Sequence, residues 1–195
     1  MKVRKSSPEW MSLEGRYKQA GGVLDYLLLT GGTAADANTV ELHRAAALAT
    51  MEHVRNIYAN WASHIHIYPE KLVAREIDLS EFLGPCYDSE TNIIRVTVAF
   101  EPPECDFAKP DAGYAFAFGA PPYNLLIPAD ERNSLFAEMN AAAFGSLNAG
   151  LEIYRWSDEV SNYFTAGRDW WGCYFWTVYN PKTNLIVGIA GSTSD

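Results

Sequence analysis

Residues 170–192, WWGCYFWTVYNPKTNLIVGIAGS, contain two runs rich in aromatic and β-branched residues on either side of an Asn-Pro-Lys-Thr-Asn turn. This composition is typical of a β-hairpin. Neither run alternates apolar with polar residues, so we expect both faces of the hairpin to be covered. The second run carries Gly188, Ala190 and Gly191 opposite the bulky side chains of the first. The sequence thus predicts a hairpin at the centre of the core.

Two segments outside the hairpin are predicted to be the main helices. Asn38 is a good N-cap, and Glu41 completes a capping-box arrangement for a helix that ends near Trp61. A second helix is predicted to begin at Pro128, since proline is favoured in the first turn. Apolar residues recur on one face of each helix. The predicted buried residues are Val40, Ala47, Met51, Val54, Tyr58 and Trp61 in the first helix, and Leu135, Phe136, Met139, Ala142, Ala143 and Leu147 in the second.

Shorter elements complete the prediction, and they follow one another without regular alternation, which indicates an α+β fold. We predict a single α+β domain over residues 1–195, with a mostly antiparallel sheet packed by two main helices and the aromatic C-terminal hairpin in its core. Residues 1–10 are expected to form a flexible leader. The other predicted elements are a partly helical segment over 9–29, strands over 63–68, 72–79, 93–100, 113–119 and 151–156, and a short helix over 158–164.

Composition and charge limit the function. Of the 195 residues, 48% are hydrophobic, which is typical of a folded domain with a core. The formal net charge of −9 disfavours binding to nucleic acids and to anionic membrane surfaces, and it favours a basic partner. The N-terminus lacks the apolar region of a secretory signal, and no apolar run is long enough to span a bilayer. Three cysteines without C-x-x-C spacing fit a reducing compartment, so we expect a cytoplasmic protein.

Motifs for catalysis and cofactor binding are missing from the sequence. It contains no glycine-rich phosphate-binding motif, no G-x-S-x-G and no H-E-x-x-H, so no cofactor is expected. His64 and His66 would point to one side of a strand and could bind a divalent metal, although ordinary edge-strand histidines explain the pattern equally well. His43 and His53 are expected at surface or boundary positions.

Aromatic residues concentrated between Trp156 and Tyr179 suggest a functional surface, although filling the core is the simpler explanation. Trp170 and Trp171 follow Gly-Arg-Asp, and exposed tryptophans beside charges are typical anchors of a protein interface. We therefore expect a protein-binding domain, most concretely an immunity- or antitoxin-type inhibitor of a basic partner. The predicted partner-binding residues are Asp158, Glu159, Asp169, Trp170, Trp171, Glu104 and Asp106.

Two alternatives from other functional classes stay open at this point. One is a small hydrolase or metal-dependent enzyme that uses His64 and His66 with a nearby carboxylate. The other is a small-molecule-binding fold with an aromatic pocket. The sequence leaves the oligomeric state undetermined.

Overall fold

The computed structural model describes residues 1–4, 7–31, 39–58, 60, 64–96, 112–147, 149–168 and 171–192. Within these residues, six strands form one antiparallel sheet in the order β1-β2-β8-β7-β6-β3. A separate pair, β4 and β5, lies outside this sheet. The elements in chain order are β1 (Lys2–Val3), α1 (Pro8–Gln19), β2 (Asp25–Thr30), α2 (Thr39–Ile57), β3 (Ala74–Ile77), α3 (Leu79–Leu83), β4 (Tyr87–Asp88), β5 (Ile93–Ile94), α4 (Gly113–Gly119), α5 (Ala129–Phe144), β6 (Glu152–Trp156), β7 (Cys173–Asn180) and β8 (Leu185–Ser192).

The predicted hairpin is confirmed as β7 and β8, the two central strands of the sheet. Thr177 pairs with Gly188, and the turn closes where Asn180 pairs with Leu185. Asn184 adopts the left-handed conformation (φ 53°) that asparagine tolerates in turns. Small residues in β8 let a helix approach the sheet closely, because a side chain at Gly188 would collide with Thr50 of α2.

Each face of the sheet is covered, as the two apolar runs predicted. One face packs against α2, where Met51 and Val54 meet Phe175 and Ala190. The opposite face packs against α1, α3, α4 and α5, and there Trp176 is buried in the largest cluster. Successive residues of β7 point to opposite sides, so Phe175 and Trp176 belong to different clusters. β7 therefore contributes side chains to the core on both faces of the sheet.

The segment 113–119 is a helix, so the strand predicted there is wrong. All seven residues of α4 are buried, and the helix is apolar on every side. A short apolar run cannot be assigned to helix or strand from its periodicity alone, which explains the error. Gly113 lies so close to Gly84 that a Cβ atom on either residue would overlap the backbone of the other.

Other predicted elements are only partly correct. The segment 9–29 divides into α1 and β2, so its apolar end is a strand paired with β8. From the predicted leader, Lys2–Val3 pairs with β2, and Pro8 begins α1. The predicted strand over 63–68 contributes an isolated bridge at Ile67, and the strand over 93–100 is observed as Ile93–Ile94, with residues 97–100 outside the described part. The short helix over 158–164 consists of two 3-10 turns.

No helix in the described part of the chain has the length and apolar character needed to cross a membrane.

Candidate functional site

The predicted partner-binding residues do not form one surface in the described part of the chain. Glu104, Asp106, Asp169 and Trp170 lie outside the described residues. Of the remaining three, Glu159 is exposed, while Asp158 forms an ion pair with Arg168 at 2.7 Å between Oδ2 and Nε. Trp171 is only 6% exposed, and its Nε1 donates a hydrogen bond to the Ala120 carbonyl at 2.7 Å. The expectation that Trp171 is exposed is therefore wrong, because its indole is held inside the core.

The histidine pair predicted as a metal site is exposed on a loop. Asn162 holds this loop through its side chain, which accepts from the His66 amide (2.7 Å) and donates to the His64 carbonyl (2.6 Å). No group of three or more His, Cys, Asp or Glu residues is positioned to hold a metal ion among the described residues. Metal binding by His64 and His66 stays a prediction, and metal analysis of tag-free protein would test it.

A buried carboxylate at the start of β2 is the centre of a polar cluster that sequence reasoning missed. Asp25 is only 2% exposed, and Lys18 Nζ from the last turn of α1 lies 2.7 Å from its Oδ1. Its Oδ2 accepts hydrogen bonds from Tyr58 Oη at 3.1 Å and from Tyr163 Oη at 3.4 Å. Three side chains from separate segments of the chain thus meet at one buried charge. A buried charge needs such partners to offset its lost hydration.

Two neighbouring cavities between α1 and α2, together called the α1–α2 cleft, open beside this cluster. The first has a volume of about 600 Å³, and the second of about 480 Å³. Glu14 and His53 line both cavities. The other lining residues are Met11, Gly15, Lys18, Asp25, Ile57 and Tyr58 in the first, and Val3, Arg4, Trp10, Tyr26, Leu27, Leu28, Ala49, Glu52 and Asn56 in the second.

The cleft forms because β1 covers only part of the outer edge of β2. Lys2 and Val3 pair with Thr30 and Leu29, and the Arg4 amide donates to the Leu28 carbonyl. The remaining edge, toward Asp25, has no strand beside it among the described residues. His53 of α2 lies at this edge, beside Tyr26. Uncovered strand edges leave peptide groups available to side chains and ligands.

Burial changes the acid–base behaviour of the cleft. It raises the pKa of Glu14, an effect that Lys18 opposes and Asp25 reinforces. Burial lowers the pKa of His53, so its imidazole is neutral at pH 7. Burial and the Asp25 charge raise the pKa of both Tyr58 and Tyr163, which keeps their hydroxyls protonated as donors to Asp25. Shifted pKa values in a cleft are a common sign of a functional site.

His43 is completely buried, so the expected surface or boundary position is wrong. It lies on the side of α2 that faces the sheet, with 0% exposure, and its Nδ1 is 2.7 Å from Thr177 Oγ1. The same hydroxyl accepts a hydrogen bond from Trp156 Nε1 at 2.9 Å. Nε2 of His43 has no hydrogen-bond partner among the described residues. Burial lowers the pKa of His43 to about 4, so the ring is neutral at pH 7.

One sequence signal pointed to the cleft. Asp25 is the single charged residue in the apolar run LDYLLL (24–29), and a charge inside a buried strand needs partners. That signal depends on assigning the run to a strand, because a helix could have turned the aspartate toward solvent. Comparison with known proteins adds no relative, since no family model, no curated protein and no solved structure matches the chain.

Proposed function

We propose that this protein binds a small polar molecule in the α1–α2 cleft. The observation that carries the proposal is the buried Asp25 carboxylate, held by Lys18, Tyr58 and Tyr163 in the wall of a 600 Å³ cavity. An ion pair in the core adds little stability compared with apolar residues of the same size, so its position beside a cavity supports a binding role. Met11 and Ile57 add exposed apolar surface to the same cavity.

The cleft has the features of a site for a small ligand. Carboxylate, ammonium, imidazole and phenol groups converge in the first cavity. The second combines apolar side chains such as Trp10 and Leu28 with the charged Arg4 and Glu52. Such polar groups fix the orientation of a ligand, and apolar walls supply much of its affinity. This proposal corresponds to the small-molecule alternative with an aromatic pocket, and Trp10, Tyr26 and Tyr58 supply the aromatic rings of the cleft.

Filling the cleft from α1 is expected to abolish ligand binding and leave the fold intact. Gly15 lines the first cavity inside α1, and a Cβ atom at this position would meet nothing within 4 Å. The Gly15→Trp variant therefore places an indole in the cavity without a backbone clash. Amide shifts on addition of amines, amino acids, carboxylic acids and nucleosides, measured by NMR, identify ligands of the parent. We expect these shifts in α1, α2 and β2, and we expect Gly15→Trp to lose them.

Gly15→Ala is the matched control. It should bind like the parent and gain roughly 0.5–1 kcal/mol of stability, because alanine replaces glycine within a helix. Asp25→Asn should weaken binding at least tenfold if the Asp25 cluster orients the ligand. The proposal is wrong if none of these compounds shifts the cleft amides, or if the blocked variant binds as tightly as the parent.

Docking of a basic partner protein is a second candidate, and the net charge of −9 with the exposed Glu159 favours it. An immunity- or antitoxin-type inhibitor is the concrete version of this hypothesis. Charge acts mainly on encounter rates, so association with the partner should slow steeply as salt rises while dissociation changes little.

Glu159→Lys is expected to slow association with such a partner. It is a cleaner test than a change at Asp158, which would also break the ion pair with Arg168. Glu90→Lys, which reverses another exposed carboxylate, serves as the control for total charge. Surface plasmon resonance with a partner purified from the source cell measures both rates. Equal effects of the two charge reversals on the association rate would show that the surface around Glu159 does not contact the partner. Association that does not depend on salt would exclude docking steered by charge.

A further inference from the structure

The two cavities of the α1–α2 cleft share the Glu14 and His53 wall and differ in the side chains beyond it. Lys18, Asp25 and Tyr58 line the first cavity together with the apolar Met11 and Ile57. The second is lined by Arg4, Glu52 and Asn56 and by six carbon-rich residues, Val3, Trp10, Tyr26, Leu27, Leu28 and Ala49. A ligand with a polar end and an apolar end would match the charged groups of the first cavity and the carbon-rich part of the second.

The charges of the first cavity leave one carboxylate without a counter-ion. Lys18 and Asp25 neutralise each other across 2.7 Å, and the two tyrosine hydroxyls occupy the second oxygen of Asp25. His53 is neutral at pH 7, because burial lowers its pKa. Glu14 is half-buried and has no ion-pair partner at contact distance in the described part of the chain, and Lys18 acts on its charge only from a longer distance.

A ligand ammonium group would supply the missing counter-ion. A partly dehydrated carboxylate attracts a cation more strongly than an exposed one does, because the lower local polarity screens less. The Tyr58 ring in the same cavity adds an aromatic surface suited to a cation. An anionic ligand would instead meet the unpaired Glu14 charge.

We propose that the ligand is an amphiphilic amine, with its ammonium group at Glu14 and its apolar chain in the second cavity. The inference rests on the proposed function and names the chemical class of its ligand. Each added methylene should raise affinity about fourfold until the second cavity is filled, which is the usual gain for burying one CH₂ group.

Isothermal titration calorimetry with straight-chain alkylamines from butyl to octyl tests this inference. Alkyl carboxylates and alcohols of the same lengths are the matched probes. We expect amines to bind at least tenfold more tightly than carboxylates, with a steady gain along the series. Binding near pH 5 should release protons, because an ammonium group lowers the raised pKa of Glu14, and enthalpies measured in different buffers report this release.

Two variants test the contacts of the two ends of the ligand separately. Glu14→Gln should remove the preference for amines over alcohols and the proton release, while Ala49→Leu should flatten the dependence of affinity on chain length. A thermal melt confirms that each variant folds. Equal or tighter binding of carboxylates, or a parent series independent of length, would overturn the amine assignment.

The proposed function can be judged separately. If another class of polar compound binds in the cleft and is lost in Gly15→Trp, the binding function stands and the amine assignment falls. If amines bind equally to the parent and to Gly15→Trp, they bind elsewhere and the assignment again falls. If no compound of any class perturbs the cleft, both proposals are wrong.

Discussion

Replacing Trp176 with alanine is expected to lower the free energy of unfolding by about 3–5 kcal/mol. The indole is only 2% exposed and lies at the centre of an aromatic cluster. Its ring centroid is 5.4 Å from that of Tyr174, 5.6 Å from that of Phe82 and 6.2 Å from that of Tyr114. These neighbours belong to β7, α3 and α4, so the cavity left by alanine would be walled by three elements that cannot all close on it.

Urea denaturation followed by circular dichroism measures this loss. Leu126→Ala is the control, because Leu126 is 79% exposed and its truncation should change stability by less than about 0.5 kcal/mol. We expect one cooperative transition, since β7 contributes side chains to the clusters on both faces of the sheet. A loss below about 1 kcal/mol for Trp176→Ala, or two separate transitions in the parent, would contradict this description of the core.

The hairpin could be predicted because the residues that determine it lie close together in the sequence. Aromatic and β-branched residues, a five-residue turn and the small residues opposite them all lie within 23 consecutive positions, 170–192. The predicted apolar stripe of α2 is equally local, and its central residues Ala47, Met51 and Val54 are buried. At its ends, Val40 is half-buried, Tyr58 is 36% exposed, and Trp61 lies outside the described residues. In both cases the side chains are apolar, so they are buried whichever element packs against them.

Buried polar residues could not be placed in the same way. His43 and Thr50 lie on the buried face of α2, yet the partner of His43 is Thr177, 134 positions away. The Asp25 cluster likewise joins a near neighbour, Lys18, to a tyrosine 138 positions away in sequence, Tyr163. A polar side chain is buried only where another element supplies its partner, and that pairing is a property of the topology. The cleft therefore becomes visible only in the folded chain.

A second large effect is expected on acidification, and its origin is His43. The ring is fully buried between the sheet and α2, with the Tyr154 ring centroid 4.5 Å away and the Tyr179 ring centroid 6.2 Å away. Its Nδ1 contacts the Thr177 hydroxyl, and burial lowers its pKa from 6.5 to about 4. A proton on this ring would place a positive charge in the core, where Nε2 has no acceptor among the described residues.

The sign of the effect follows from proton binding. Between pH 6.5 and about 4 the unfolded chain binds a proton at His43 and the folded chain does not, so acid favours unfolding. The stabilisation is fully present above pH 6.5 and is lost as pH falls toward 4, and it amounts to about 3 kcal/mol. NMR should accordingly show no titration of the His43 ring above about pH 5.

Urea denaturation from pH 7.5 to pH 4 isolates this contribution when the parent is compared with His43→Gln. Other groups titrate in the same range, including His53 and Glu14 with their own shifted pKa values, but they are common to both proteins and cancel in the difference. His64→Gln removes an exposed histidine and should follow the parent curve. We expect the difference in unfolding free energy between the parent and His43→Gln to shrink by about 3 kcal/mol across this range. A difference that stays constant with pH would show that His43 binds a proton equally well in the folded core and in the unfolded chain, and its described environment would then be wrong.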